Sequence, residues 1–355
     1  MARILTVLNA QGLKCLRSGY ARIEYERFDE YQEPNEPSSE NAFETDPPVG
    51  DLRSLTPPDD CDSIFRFFLD GSRKTYKVAD VIAGNRYLPV IAGQVGVAVL
   101  ERDINAKVIQ PRKEFCRFEN VMAFPDKVSG DDVAEYQITL DRLLQRKFVL
   151  LRYENQPDAD PVDKAVAKIM QYMHDKEIET VYQMADSNLL GNERILVRDG
   201  PLQFRKPIDL SKFRNVIGLS KTFRPHVALG TGRARKDVGS LTVGLRFGQR
   251  TVTYKMEVFD KVVGFWYLRL RHREQTANPI DGVVKIERLA LTAKEREDGL
   301  ETSIVNTLSQ HILRERNVTP FKADSRWSTH IYPIYLTEKY LKLSFMSDLC
   351  FTALF

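Results

Sequence analysis

Residues 64–125 hold four successive stretches rich in Val, Ile and Phe: "SIFRFFLD", "KTYKVADVI", "YLPVIAGQVGVAVLERD" and "FCRFENVMAF". They read as consecutive strands of an antiparallel meander. The texture then changes. Residues 130–147 show helical spacing, and in 161–190 Val166, Ile169, Met170, Met173, Ile178, Val181 and Met184 recur at threes and fours. That spacing marks a long amphipathic helix, and Pro161 suits its first turn. Short apolar strands follow at "RILVRDG" and "NVIGLSKT", two more at 240–271, and another at "GVVKIERLAL". An amphipathic helix is expected over "EREDGLETSIVNTLSQHILRERN", and one more after Pro333. Strands first, then helices and strands mixed, make an α/β chain with a mixed sheet and an antiparallel opening.

The 355 residues are 43% hydrophobic and 28% charged, with a formal net charge of +3. Those values fit an ordinary globular chain with a sizeable core. The charge is unevenly spread. Residues 24–62 are dense in Asp and Glu, and 29–62 are also rich in Pro and Ser. Such a stretch buries little apolar surface, so it reads as a solvated loop or as an acidic cover for a basic groove. The organisation expected is an N-terminal segment, 1–63, followed by one domain, 64–355. With the acids concentrated early, the remainder is basic, which suits a polyanionic partner and also many soluble proteins.

The four cysteines are far apart and form no Cys-x-x-Cys pair, which argues against a zinc site or a disulfide framework. No apolar run is long enough to span a bilayer, and "MARILTVLNAQGLKCL" lacks the pattern of a cleaved leader. A cytoplasmic chain with reduced thiols, not held by a membrane, is the expectation.

Two apolar runs end on Asp-Gly: "FFLDGSR", with Asp70, and "ILVRDGPL", with Asp199. Each pair is an ordinary turn, or the two strands deliver two carboxylates to one place. In the second case the oxygens suit Mg²⁺ or Mn²⁺, the ions of two-metal phosphoryl transfer. The long helix offers a third carboxylate among Asp175, Glu177 and Glu179. Glu179 lies beside Ile178 and Val181, near the apolar stripe, while a plain solvated face accounts for all three equally well. Candidate phosphate contacts are Arg233, Arg235 and Lys236 in "GTGRARKD", and Arg269, Arg271 and Arg273 in "RLRHRE", where alternation on a strand would make one basic row. Ordinary surface charge is the alternative.

"FFLDGSR", "ILVRDGPL" and "NVIGLSKTF", with "FWYLRLR", "VVKIERLAL" and "HIYPIYLTEKY" after them, resemble in this order the NurA family of nucleases over residues 64–345. The resemblance implies a ribonuclease H-like mixed sheet with antiparallel opening strands flanked by helices. It implies metal-dependent cleavage of DNA without strong sequence preference, with Mn²⁺ or Mg²⁺ as cofactor. It also implies a homodimer docked on a HerA-type hexameric ATPase, acting in DNA end processing or defence against foreign DNA. Asp70 and Asp199 match the family's metal-binding aspartates. Glu179 best matches its helical glutamate, with Glu177 in reserve. Lys221 matches the Gly-x-Ser-Lys lysine, which would neutralise a scissile phosphate. The family's terminal-helix His or Asp aligns near Lys339 and Tyr340, so the chain departs there, and His330 or Glu338 would substitute. Two rivals stand beside this reading. One is an Argonaute PIWI-like domain, suggested by "VRDG". The other is a non-catalytic scaffold that binds DNA or the ATPase. The apolar tail "FMSDLCFTALF" would pack in the core or seal a contact.

Overall fold

The computed structural model describes residues 3–10, 14–17, 22–23, 42–48, 50, 52–58, 61–83, 86–128, 130–144, 147–156, 158–204, 206–229, 236–316 and 327–355. Its main elements are β1 (Phe65–Ala83), β2 (Arg86–Asp103), β3 (Arg117–Pro125), α1 (Gly130–Leu144), β4 (Phe148–Tyr153) and α2 (Pro161–Asp186). They continue with β5 (Ile195–Asp199), β6 (Val216–Ser220), β7 (Lys261–Arg269), β8 (Val283–Leu289), α3 (Thr302–Glu315) and α4 (Tyr332–Ser344).

These strands form one mixed sheet in the order β7-β8-β6-β5-β1-β2-β3-β4. The opening β1-β2-β3 meander is antiparallel, as expected. β5 then adds parallel to β1, and β6 parallel to β5. Helices make the parallel links: α1 joins β3 to β4, which pair in parallel, and α2 carries the chain from β4 to β5. Asp160 caps that helix, accepting from Val162 N at 2.8 Å, and Pro161 follows at the first turn, where no amide needs a partner. One face of the sheet packs Phe67, Leu69 and Val121 against Val166, Ile169 and Met173 of α2. The other packs Phe68, Val197, Leu219 and Trp266 against Ile312 of α3 and Ile334 of α4. Strands covered on both faces read as nearly continuous apolar runs, which is why "ILV" and "VIGL" show no alternation.

Three expectations change. Asp70 does not end a strand: β1 runs straight through Asp70-Gly71-Ser72 and pairs with β2 along its length, Asp70 opposite Ala98. The acidic stretch, where it is described, is packed in part: Asp46 and Asp62 are exposed, but other residues join the body of the protein. Leu52–Ser54 pairs with Gln249–Thr251, Phe43 is buried, and Glu44 is sealed against Arg250 at 2.7 Å. This segment therefore shares the sheet with residues beyond 64. The single helix expected over 295–317 is broken at Gly299, whose φ is +89°. A Cβ there would lie 2.4 Å from the backbone of Phe43, so only glycine admits the returning acidic segment. The apolar tail packs inward, with Phe351 and Phe355 buried beside Phe148. No helix among the described residues is long and apolar enough to cross a membrane.

Candidate functional site: a carboxylate cluster around Lys221

The ladder between β1 and β5 pairs Leu69 with Arg198, and that between β5 and β6 pairs Asp199 with Leu219. Phe68, Val197 and Leu219 share one face of the sheet. Side chains alternate along a strand, so residues two further on return to that face. Asp70, Asp199 and Lys221 occupy those positions, on three neighbouring strands. β5 and β6 end here, while β1 continues past them with β2. The cluster therefore sits at the carboxyl ends of parallel strands, where the backbone opens.

Two glycines shape the exit. Gly200, at φ +102°, turns the chain directly after Asp199, and its amide donates to Leu219 O at 2.8 Å. At Gly218 a Cβ would meet Gly200 O at 2.8 Å, so the Gly-x-Ser-Lys glycine lets the returning loop cross β6. Glu287 of β8 then fixes the loop by accepting from Leu202 N and Gln203 Nε2, both at 2.7 Å.

Lys221 Nζ donates to Asp199 Oδ2 at 2.7 Å and lies 3.6 Å from Glu338 of α4. Asp70 is buried at 7% exposure. Desolvation pushes its carboxyl well above the ordinary aspartate range. Asp199, Glu177 and Glu338 push it the same way, and only Lys221 opposes them. Burial depresses the Lys221 ammonium, but Asp199, Asp70 and Glu338 outweigh that and raise it. Lys221 thus faces several carboxylates at once, and Glu338 is shared with Lys342 at 2.5 Å.

Of the two glutamates on α2, Glu177 turns inward and Glu179 does not. Glu179 faces solvent, paired with Lys176 at 2.9 Å and Arg117 at 3.4 Å. Glu177 is 2% exposed and reaches Gly71, where a Cβ would lie 2.5 Å from its Oε1. Its Oε2 is held by Arg198 Nη2 at 2.5 Å and by His174 Nδ1 at 2.9 Å. Burial would raise its pKa, yet Arg198 and His174 prevail and hold it at about 2. Asp175 pairs with Lys206 at the surface. The signal was present in the sequence. The buried stripe Val166, Ile169, Met173, Val181, Met184 has a gap one turn after Met173, and Glu177 fills it.

From α4 it is Glu338, directly before Lys339 and Tyr340, that meets Lys221. His330 precedes that helix, fully buried, with its ring 5.7 Å from Tyr335. The basic row is not a row. Arg269 is buried and donates to the carbonyls of Asp281, Thr242 and Pro279, at 3.0, 3.1 and 2.6 Å. Arg271 is also buried, and Arg273 is exposed. Arg233 and Arg235 lie outside the described residues; Lys236 is described only as backbone, in a short strand with Asp237.

Among the described residues no three Asp, Glu, His or Cys side chains converge as a ready-made cation cage. The donor set nevertheless suits a hard divalent cation. Asp70, Asp199 and Glu338 all offer oxygens; Lys221 meets Asp199 and Glu338, Lys342 also meets Glu338, and burial first, then the neighbouring carboxylates, push the Asp70 carboxyl up. No family model matches the chain, and no curated protein does.

Proposed function

We propose that the chain is a metal-dependent deoxyribonuclease with a ribonuclease H-like core, of the kind the NurA resemblance implies. The supporting observation is the placement of Asp70 and Asp199 on adjacent parallel strands, on one face, with Lys221 and Glu338 beside them. The strand order β3-β2-β1-β5-β6, three antiparallel and two parallel, accords with that core. In this reading Asp70 and Asp199 hold Mn²⁺ or Mg²⁺, with Glu338 as a further oxygen ligand. Such ions activate water and stabilise the leaving oxygen of a phosphodiester. Lys221 then turns from the carboxylates to the phosphate. Glu177, clamped through one oxygen by Arg198, fixes Gly71 and with it the line of β1 beside Asp70. A HerA-type hexameric ATPase feeding DNA to a dimer, in end processing or defence, completes the proposal.

The ion pair between Lys221 and Asp199 favours a second reading. In it the lysine permanently neutralises the cluster, and the chain is a scaffold that binds DNA or the ATPase. The deciding experiment incubates purified protein with linear and circular DNA, with Mn²⁺ and with EDTA. Cleavage that requires Mn²⁺ and disappears in Asp70→Asn supports the nuclease. Absence of cleavage in wild type, alone and with the ATPase, removes it.

A further inference from the structure

The described chain treats its buried arginines in two ways, and Arg271 follows neither. Arg198 and Arg250 meet the carboxylates of Glu177 and Glu44. Arg269 spends its terminal nitrogens on three carbonyls. Arg271 is 4% exposed, yet among the described residues its Nε and Nη2 have no hydrogen-bond partner and no carboxylate pairs with it. Its guanidinium lies 4.3 Å from the ring centroid of Trp327. Burial, together with the like charge of Arg316, brings the Arg271 pKa down to about 10. Arg316 itself rests on Phe247 at 5.3 Å, and Phe247 stacks on His272 at 4.5 Å. Trp327 and Arg316 are partly exposed and His272 is exposed, so the layer that covers the buried guanidinium reaches solvent.

Burying a charge with unmet N–H donors next to a like charge is costly. A ring face recovers only part of that cost. An anion supplies what is missing, and a planar fork of N–H donors fits two oxygens of a phosphate. The fold also says which phosphate. Ser220 of β6 is level with Lys285 of β8, and Lys285 with Tyr267 of β7. β7 therefore runs in the direction of β6, and the ladder continues to Leu270, whose amide donates to Gly282 O at 2.7 Å. Arg271 and Lys221 emerge at the same end of the sheet. Two strand spacings across and three residues along separate their backbones by about 14 Å.

We infer that Arg271, with Arg316 beside it and Trp327 beneath it, is a recessed phosphate-binding subsite flanking the carboxylate cluster. That the phosphate belongs to DNA rests on the nuclease reading; that a phosphate binds does not. It differs from a solvent-facing basic row, because one buried fork takes one phosphate.

The test uses the full chain without divalent ions. The sequence has two tryptophans, and Trp266 is completely buried, so a fluorescence change on ligand binding reports Trp327. Inorganic phosphate, titrated against potassium chloride of equal ionic strength, is expected to give a saturable change and to raise the melting temperature. Arg271→Gln should lose both effects, Arg271→Lys should keep a weakened response, and Arg273→Gln should behave as wild type. Trp327→Phe should lose the optical signal and keep a melting shift, since a phenyl ring still faces the guanidinium. Arg271→Gln gives up the Trp327 ring contact but breaks no ion pair among the described residues, and Arg271→Lys preserves the charge. For a fluorescent oligo-dT in EDTA, Arg271→Gln should bind about tenfold more weakly, with the salt slope reduced by about 0.7. A phosphate response that persists in Arg271→Gln, or none in wild type, overturns the subsite even if Mn²⁺-dependent cleavage is intact. A phosphate response with unchanged oligo-dT affinity overturns its assignment to DNA. A subsite that passes these tests in a chain that never cleaves would instead count against the nuclease.

Discussion

Oε1 of Glu177 lies 2.5 Å from where a Cβ on residue 71 would stand, and Met173 Cγ lies 3.2 Å from the same point. Helix α2 therefore crosses strand β1 at a glycine, immediately after Asp70. Glu177 cannot swing aside cheaply, because Arg198 and His174 hold its other oxygen. Gly71→Ala must push the helix off the strand or break that clamp. The expected cost is about 1–3 kcal/mol, the range for overpacking a filled core. Urea denaturation measures it. Cleavage should fall as well, since the displacement begins next to Asp70. A variant as stable and active as wild type would mean that α2 is not seated here.

Glu177 and Glu179, two residues apart, should behave in opposite ways. Glu177→Gln leaves Arg198 buried without a counter-charge, a loss of order 3 kcal/mol. Glu179→Gln removes only an exposed pair, worth about 0–1 kcal/mol. The acid dependence separates them further. Glu177 has a folded pKa of about 2, below its ordinary 4.5. Its stabilisation is therefore complete above 4.5 and fades as pH falls towards 2. Wild type and Glu179→Gln should lose stability through that window, and Glu177→Gln should lose less. Chemical denaturation at stepped pH reads the difference.

Much of this was legible in the sequence. The meander, the long capped helix and the two short parallel strands follow from apolar spacing, Pro161 and the glycines. The register along α2 was also written there, because an apolar stripe with a charged gap at 177 points that residue inward. It was obscured because Ile178 and Val181 also flank Glu179. The long β1 was not legible. Asp-Gly usually marks a turn, and only the helix crossing above Gly71 explains a glycine inside a strand. The burial of Glu44 was equally hidden, since its partner Arg250 is distant in sequence and its own surroundings read as a solvated loop.

Asp70→Asn should abolish cleavage and stabilise the metal-free protein. The Asp70 carboxyl titrates well above its ordinary 3.8, owing to burial, Asp199, Glu177 and Glu338. Because the folded value is raised, its favourable contribution is complete below 3.8 and is lost as pH climbs towards the folded value. Near pH 8 the neutral Asn is therefore the better occupant. Mn²⁺ should reverse the order. At a hundredfold excess over Kd a ligand adds about 2.7 kcal/mol to the state that binds it, and wild type should gain this while the variant gains far less. Melting curves with and without Mn²⁺ test both halves. Equal Mn²⁺ shifts in the two proteins would remove Asp70 from the metal site.

Lys221→Met tests whether the lysine stands where a cation belongs. Its ammonium is 2.7 Å from Asp199 and 3.6 Å from Glu338, and it is the one group that lowers the Asp70 carboxyl. Methionine keeps the length of the side chain and removes the charge. Asp70, Asp199 and Glu338 then repel one another, so the metal-free variant should melt below wild type, most clearly at high pH where all three are ionised. Mn²⁺ should restore the lost stability and give a larger melting shift than in wild type, because the ion no longer competes with an ammonium. Cleavage should nevertheless be weaker, since nothing then faces the phosphate. The scaffold reading expects the reverse: a destabilised variant that Mn²⁺ does not rescue, because there Asp199 is built to hold the lysine and not a metal ion.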